Sequence, residues 1–353
     1  MRFLVCLMAG LVLVAAAPVV AASAAPAASS AVSESAATQP PKAAFGAGPA
    51  SATKLDGRPY FTYESSPGGS IEDHIAIINF ARHAQTLNVY PVDAVSGTNG
   101  TFSYAPRAAA RQQVGAWLSV GAPVTAGRLT IGPRATVILP VFLRVPRNAS
   151  PGDHAGAVIV SVFGLVQAKG KQQVKFEQRI ATRVIIRVSG PLHPRLSIEH
   201  LHAAYSGHLD PFASGTVTVS YTVHNTGNVL LGATQQVSVH GLFGSAAHAT
   251  ALRAVPLLLP GGSYPVKTRV PGVLPEVWVT ATVRLGPEGL RGDVNPGLHV
   301  TTASATVLTM PWILLAIVIA LLIFLIVRNW RRLVRSPKPS PASVKQTPEG
   351  VKS

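Results

Sequence analysis

Pro140-Val141-Phe142-Leu143-Arg144-Val145-Pro146 is a valine-rich strand closing on proline. The chain repeats its pattern 125 residues later as Pro265-Val266-Lys267-Thr268-Arg269-Val270-Pro271. A Gly/Pro turn precedes each copy, Gly132-Pro133 in the first and Pro260-Gly261-Gly262 in the second. The earlier parts of the two halves match as well. Ile75-Ala76-Ile77-Ile78-Asn79 answers to Val219-Ser220-Tyr221-Thr222-Val223-His224-Asn225. Each reads as a strand clipped by an asparagine turn, because Asn bonds its own backbone and tolerates left-handed geometry. Self-similarity on this scale is a repeat signal, and the repeated unit is a β-domain.

Outward from these copies, short β-branched runs alternate with Gly/Pro/Asn punctuation. Strands are expected at 71–80, 86–92, 114–120, 128–131, 136–145, 155–163 and 180–188, with a turn at 97–100 and one helical turn at 108–113. No βαβ spacing occurs. The fold class is therefore all-β: two tandem immunoglobulin-like β-sandwiches, residues 56–188 and 190–305, joined through a Pro/Gly-bounded linker near Pro191 and Pro194. Alternation along the strands assigns Phe142, Phe163, Tyr221 and Trp278 to the cores. Pro140 and Pro265 belong at strand edges or first positions, where no ladder donor is needed.

The two ends read differently. Residues 1–24 carry Arg2, an apolar run and the small-x-small site Ala22-Ser23-Ala24, as in a cleaved signal peptide. An Ala/Ser/Pro-rich disordered linker, 25–55, follows. Residues 307–327 are free of charge and long enough for a single C-terminal transmembrane helix, flanked by Trp312 and Trp330. Arg328, Arg331, Arg332, Arg335 and Lys338 come next, and the positive-inside rule makes 328–353 a cytoplasmic tail. The expected localisation is the cell membrane, single-pass, with the N-terminal ectodomain outside and membrane lipid as a partner. Of the formal net charge of +16, the tail holds +6 (seven basic residues against Glu349). With 12% charged residues and no basic cluster outside the tail, a nucleic-acid partner is excluded. The one cysteine, Cys6, lies in the signal region, so no disulfide supports either domain.

The first domain resembles a known family. Phe61-Thr62-Tyr63-Glu64-Ser65-Ser66-Pro67-Gly68 gives an aromatic segment and a Pro-Gly turn. A strand ending in Ile78-Asn79 follows, then Val89-Tyr90-Pro91-Val92-Asp93-Ala94 and Gly100-Thr101-Phe102. Val114-Gly115-Ala116-Trp117-Leu118 comes next, and Val145-Pro146-Arg147-Asn148-Ala149-Ser150-Pro151-Gly152-Asp153-His154-Ala155-Gly156 closes the match. Over roughly residues 59–165 this resembles the peptidoglycan-binding domain of WxL-interacting proteins of Gram-positive bacteria. The resemblance implies peptidoglycan or another cell-envelope polymer as partner, in an organism that the Ala/Gly/Arg-rich composition suggests is actinobacterial. The second half does not show that family's usual second domain; it reads as a generic Ig-like module with an Asn225-Thr226-Gly227-Asn228 turn. A glycan site needs aromatic faces and short polar groups, which Tyr90, Asp93, Asn99, Tyr104 and Trp117 supply around one hairpin. The structural alternative puts Tyr90 and Trp117 in the core and Asn99 in the turn.

No catalytic motif is present: no Gly-x-Ser-x-Gly, no phosphate loop, no His-Glu-x-x-His and no mature cysteine. The Glu199-His200-Leu201-His202 run would align its two histidines on one strand face, but no motif places a third ligand, so no metal and no cofactor are expected. Asn148-Ala149-Ser150 is an acceptor triplet that belongs to a turn. The leading expectation is thus a non-enzymatic, membrane-anchored wall-associated protein. The alternative is an adhesin or accessory subunit that binds another surface protein through its sandwiches.

Overall fold

The computed structural model describes residues 44–97, 99–167, 173–207, 210, 213–290, 296–310 and 312–334. The expected signal peptide and most of the tail lie outside these residues, as does the first part of the expected linker. The first sandwich is built from β1 (Phe45–Ala50), β2 (Phe61–Ser65), β3 (Ser70–Asn79), β4 (Gln85–Ser96), β5 (Phe102–Tyr104), the single turn α1 (Val114–Trp117), β6 (Leu118–Val120), β7 (Arg128–Ile131), β8 (Thr136–Arg144), β9 (Gly152–Gln167) and β10 (Gln173–Val188). One sheet has the order β1-β3-β8-β6. The other has the order β2-β10-β9-β4-β5, with β7 also on β4. Ile75, Ile77, Leu139 and Leu143 of the first sheet pack on Leu87, Val158, Val184 and Ile186 of the second.

The second sandwich follows with β11 (Leu196–Ser206), β12 (Gly215–Asn225), β13 (Leu231–Gly241), β14 (Ala246–His248), β15 (Val255–Leu258), β16 (Ser263–Val273), β17 (Trp278–Glu288) and β18 (Thr301–Leu308). Its sheets are β11-β12-β16 and β14-β13-β17-β18, with β15 on β13. Strict alternation on β12 buries Val217, Val219, Tyr221 and Val223 and leaves the threonines between them half-exposed. Burying each such side chain contributes about 1.5–3 kcal/mol.

The internal repeat has a structural counterpart. Asn79 ends β3 and Asn225 ends β12, both with 0% exposure. The Asn79 Nδ2 donates to His83 O at 2.8 Å, and its Oδ1 accepts the Ala81 N–H at 2.9 Å. Asn225 repeats these steps four and two residues on, donating to Val229 O at 2.8 Å and accepting from Gly227 N–H at 3.1 Å. Each amide also reaches a carbonyl ahead of the repeated proline strand, Gly132 O in one sandwich and Leu258 O in the other. One side chain thus ties a strand end to the turn leading into its neighbour.

The two sandwiches meet directly. Leu230, fully buried, packs on Ala155 and Ile185 of the first sandwich. Arg187 makes a two-pronged ion pair with Asp153 at 2.6 and 2.8 Å, and the Leu230 N–H donates to Asp153 Oδ2 at 2.8 Å. Asn228 spans the joint: its Nδ2 donates to Pro151 O and Pro191 O, and its Oδ1 accepts the His193 N–H. Gly152 sits at φ +117, and a Cβ there would collide with Asn228 O. Only glycine meets both conditions.

Several sequence expectations change. Residues 45–50, expected within the linker, pair with β3 as an edge strand. Glycine and proline there read as linker, yet an edge tolerates them while Phe45 and Ala50 bury themselves. The strand expected at 114–120 is half helix, because the Asp93 carboxylate gathers the N–H groups of Gln112, Gln113 and Gly115. Phe163 and Trp278 lie at the surface, 46% and 45% exposed. Pro140 lies within β8, between β3 and the Gly121 N–H, rather than at a strand start.

The expected transmembrane helix is also corrected. Val307 and Leu308 close β18, and Thr309 is buried with its N–H on Val277 O. The helix α2 (Trp312–Val334) begins only after them. Residues 312–327, ahead of Arg328, reach about 24 Å at 1.5 Å per residue, against the ~30 Å of a bilayer core. Among the described residues no helix is long and apolar enough to cross a membrane. That overturns the single-pass topology and the sidedness and lipid partnership built on it. Several apolar side chains of α2 are exposed, Phe324 and Ile326 among them.

Candidate functional site

β10 is the strand that organises the chemistry. Its even residues Val184, Ile186 and Val188 point into the sandwich core, so the odd ones, Arg179, Ala181, Arg183, Ile185 and Arg187, face outward. Ile185 and Arg187 are covered at the joint with the second sandwich. Arg179 and Ala181 are exposed and Arg183 is half-buried.

This outward face interleaves arginines with aromatic rings. The Arg107 guanidinium lies 5.0 Å from the centre of the Tyr90 ring, and Arg179 lies 5.9 Å from it. Arg183 stacks 4.4 Å from Phe102 and 5.9 Å from Tyr60. Backbone and side-chain acceptors fix their orientation: Arg179 donates to Ala105 O at 3.1 Å, Arg107 to Asn88 Oδ1 at 3.0 Å and Arg183 to Tyr104 Oη at 3.4 Å. Burial pushes the Tyr90 phenol above its usual range. It is therefore a protonated donor, and it donates to Glu177 Oε1 at 3.1 Å. Among the described residues no carboxylate pairs with Arg107, Arg179 or Arg183.

The same strand has an open side. β9 pairs with β10 along all sixteen residues of β10, from Gln173 to Val188. On the other side, β2 runs parallel to it and covers only Val184–Val188. Among the described residues no strand pairs with that side from Gln173 to Arg183. The Ser189 N–H donates to Ser65 O on the β2 side. By alternation the N–H groups of Arg183, Ala181 and Arg179 point the same way, into the open edge.

The residues picked out from sequence are dispersed in role. Tyr90 is buried beneath the arginines, and Tyr104 borders Arg183. Asp93 is occupied in holding the loop that enters α1. Asn99 is exposed in the turn, and Trp117 packs on the core and lies 4.8 Å from the His154 ring. Tyr90 and Tyr104 thus join the arginine face and the other three lie off it. Sequence reading missed Arg107, Arg179 and Arg183. The available signal was the spacing of Arg179, Arg183 and Arg187, each four residues from the next and so on one face of a strand. In the second sandwich a β-bulge separates Glu199 from His202, and His200 takes φ +53, which breaks the regular alternation the histidine pair relied on. Among the described residues no group of His, Cys, Asp and Glu could hold a metal ion. What the described residues offer is sheet faces and edges.

No family model matches the chain, and no curated protein does. Solved structures give distant likenesses. The CsuC–CsuE chaperone–tip adhesion subunit pre-assembly complex of Acinetobacter baumannii is 8% identical, over 74% of this chain and 98% of that chain, with a TM-score of 0.35. The CupB2 chaperone of Pseudomonas aeruginosa is 10% identical, over 69% and 95%, with a TM-score of 0.31. The Salmonella enterica SafA pilin in complex with the SafB chaperone is 8% identical, over 75% and 95%, with a TM-score of 0.30. Likeness at this level carries no argument about function. The reading of a membrane-anchored peptidoglycan binder is nonetheless corrected. Its anchor is absent among the described residues, and its glycan-facing residues do not form one surface: Tyr90 is buried and Asp93 is occupied.

Proposed function

We propose that the protein is a non-enzymatic accessory protein that binds another surface protein, taking an extended segment of it as an added strand on β10. The observation that carries this is the unequal pairing of β10, complete along β9 and limited to five residues along β2. An unpaired edge presents a row of N–H and C=O groups that an incoming strand can satisfy. Kinship of residues 59–165 with the WxL-interacting family is a separate proposal, about descent alone.

The test uses the full chain and a short peptide alternating valine with serine. Binding should slow amide exchange at Arg179, Ala181 and Arg183. Ala181→Pro removes one edge donor and leaves the β9 ladder intact. It should weaken binding by roughly tenfold or more, the equivalent of a lost edge hydrogen bond and a poorer fit, with the melting temperature nearly unchanged. Protection that spares β10, or binding indifferent to Ala181→Pro, would overturn the proposal.

A further inference from the structure

We infer that β18 is a self-association edge, along which two copies of this chain pair antiparallel about Ala305. This goes beyond strand capture on β10 and does not rest on it. β18 ends the sheet β14-β13-β17-β18 and pairs with β17 along its whole length, from Thr301 to Leu308. Among the described residues no strand pairs with its other side. β11 of the facing sheet reaches its first residue through a side chain, the Thr301 Oγ1 donating to Leu196 O at 3.0 Å. The Thr309 N–H donates to Val277 O at 2.9 Å, on the β17 side. By alternation Val307, Ala305, Ala303 and Thr301 also turn their N–H groups to β17. Those of Leu308, Thr306, Ser304 and Thr302 turn to the open edge.

Charge, register and side-chain size all point to a second copy as the occupant. The chain carries a formal net charge of +16, so most of its surfaces repel their own copies, but β18 holds no charged residue. The other long edges of this sandwich are guarded against pairing. β16 carries Pro265, Lys267, Arg269 and Pro271, and a bulge breaks β11 between Glu199 and His202. An antiparallel pairing centred on Ala305 sets Leu308 against Thr302 of the second copy, and Thr306 against its Ser304. Every open N–H of the strand then meets a carbonyl. Ala305 falls on the two-fold axis as a pair without ladder bonds, where Cα atoms approach to about 4.5 Å and a methyl side chain fits. Thr306 and Ser304 face outward and make a hydroxyl pair of the kind that stabilises sheets. Ala305 and Val307 face inward against the second core, so the pairing continues that apolar layer from one copy to the next.

Sedimentation equilibrium of the full chain should show a monomer–dimer equilibrium. The Ser304 N–H faces the open edge, so Ser304→Pro leaves the β17 ladder intact. It should raise the dissociation constant roughly tenfold or more, because two-fold symmetry removes each lost bond twice. The melting temperature, measured on dilute monomer, should hardly move, and Ser304→Thr should dimerise as the wild type does. A second measurement fixes the register and decides the matter even if Ser304→Pro fails to fold. With Cys6→Ser as background, Ala305→Cys should cross-link two copies on oxidation, since about 4.5 Å between Cα atoms suits a disulfide. Ala303→Cys, which faces Val307 rather than itself, should cross-link far less. A wild-type chain that stays monomeric would overturn the inference. So would association that survives Ser304→Pro without cross-linking through Ala305→Cys, which would place the contact elsewhere, α2 included.

Discussion

Asn225 shows how much one buried side chain organises. Its amide satisfies Val229 O and Leu258 O, neither of which can reach water there. Asn225→Ala should cost about 2–3 kcal/mol, since two buried carbonyls lose their donor. Asn225→Asp should cost more near neutral pH, because a carboxylate would then face two carbonyl oxygens. That variant should recover stability in acid, where the carboxyl regains a proton to donate. Urea unfolding at two pH values checks both, and an Asp variant as stable as wild type at neutral pH would sink the argument. A second residue-scale prediction concerns Asp73, which accepts from Arg58 at 2.8 and 2.9 Å and from Tyr63 at 2.8 Å. Burial pushes the Asp73 carboxyl up, but these bonds outweigh it and hold the group below its ordinary 3.8. A lowered folded-state value means the carboxylate stabilises the fold fully above about 3.8. That contribution is lost as the pH falls from there through the folded value. Asp73→Asn should therefore flatten the acid limb of the stability curve below about pH 4. An unchanged limb would show that other carboxylates set it.

At the scale of elements, α1 is held by one side chain from another strand. The Asp93 carboxylate on β4 takes N–H groups from Gln112, Gln113 and Gly115 at 2.7, 3.1 and 2.7 Å. Gly115 lies so close to the Asp93 backbone that a Cβ there would press on its N at 2.7 Å. Asp93→Ala should cost about 1–2 kcal/mol, the range of a lost helix cap, and should speed amide exchange in residues 112–117. Peptide binding at the β10 edge should be unaffected, because Asp93 does not border that edge. A large loss of binding with intact stability would make Asp93 a contact residue instead.

At the scale of the whole molecule, the joint between the sandwiches decides how the β10 face is bounded. Arg187, Asp153 and Leu230 close one end of that face and leave Arg179 and Arg183 at the other. The ion pair is nearly sealed, with the Asp153 side chain 2% exposed and that of Arg187 10%. Removing one partner from such a pair costs about 3–5 kcal/mol, mostly through the charge left behind. Asp153→Ala also takes the acceptor from the Leu230 N–H, so it should loosen the joint as well as lower stability. Faster protease cleavage between residues 189 and 195 would report the loosening. A change of stability below about 1 kcal/mol with unaltered cleavage would mean that apolar packing alone holds the sandwiches together.

The sequence by itself determined what depends on near neighbours. Alternation along β12 sets which of its side chains turn inward, and the runs at 128–131 and 136–145 fall on β7 and β8. The asparagine turns and the twin proline strands are legible for the same reason: their bonds close within a few residues. Tertiary structure alone decided the pairing. Nothing local says that Phe61–Ser65 should lie parallel to the end of β10, leaving the rest of its edge open. Nor does spacing place Arg183 over Phe102, or Arg179 over Tyr90. Composition read residues 307–327 as one helix, yet the first two complete a strand because β17 offers Trp278 and Val279 as partners. Side-chain periodicity is local chemistry. Which edge is satisfied and which stays open depends on backbone groups meeting across large sequence separations, and only the folded chain brings them together.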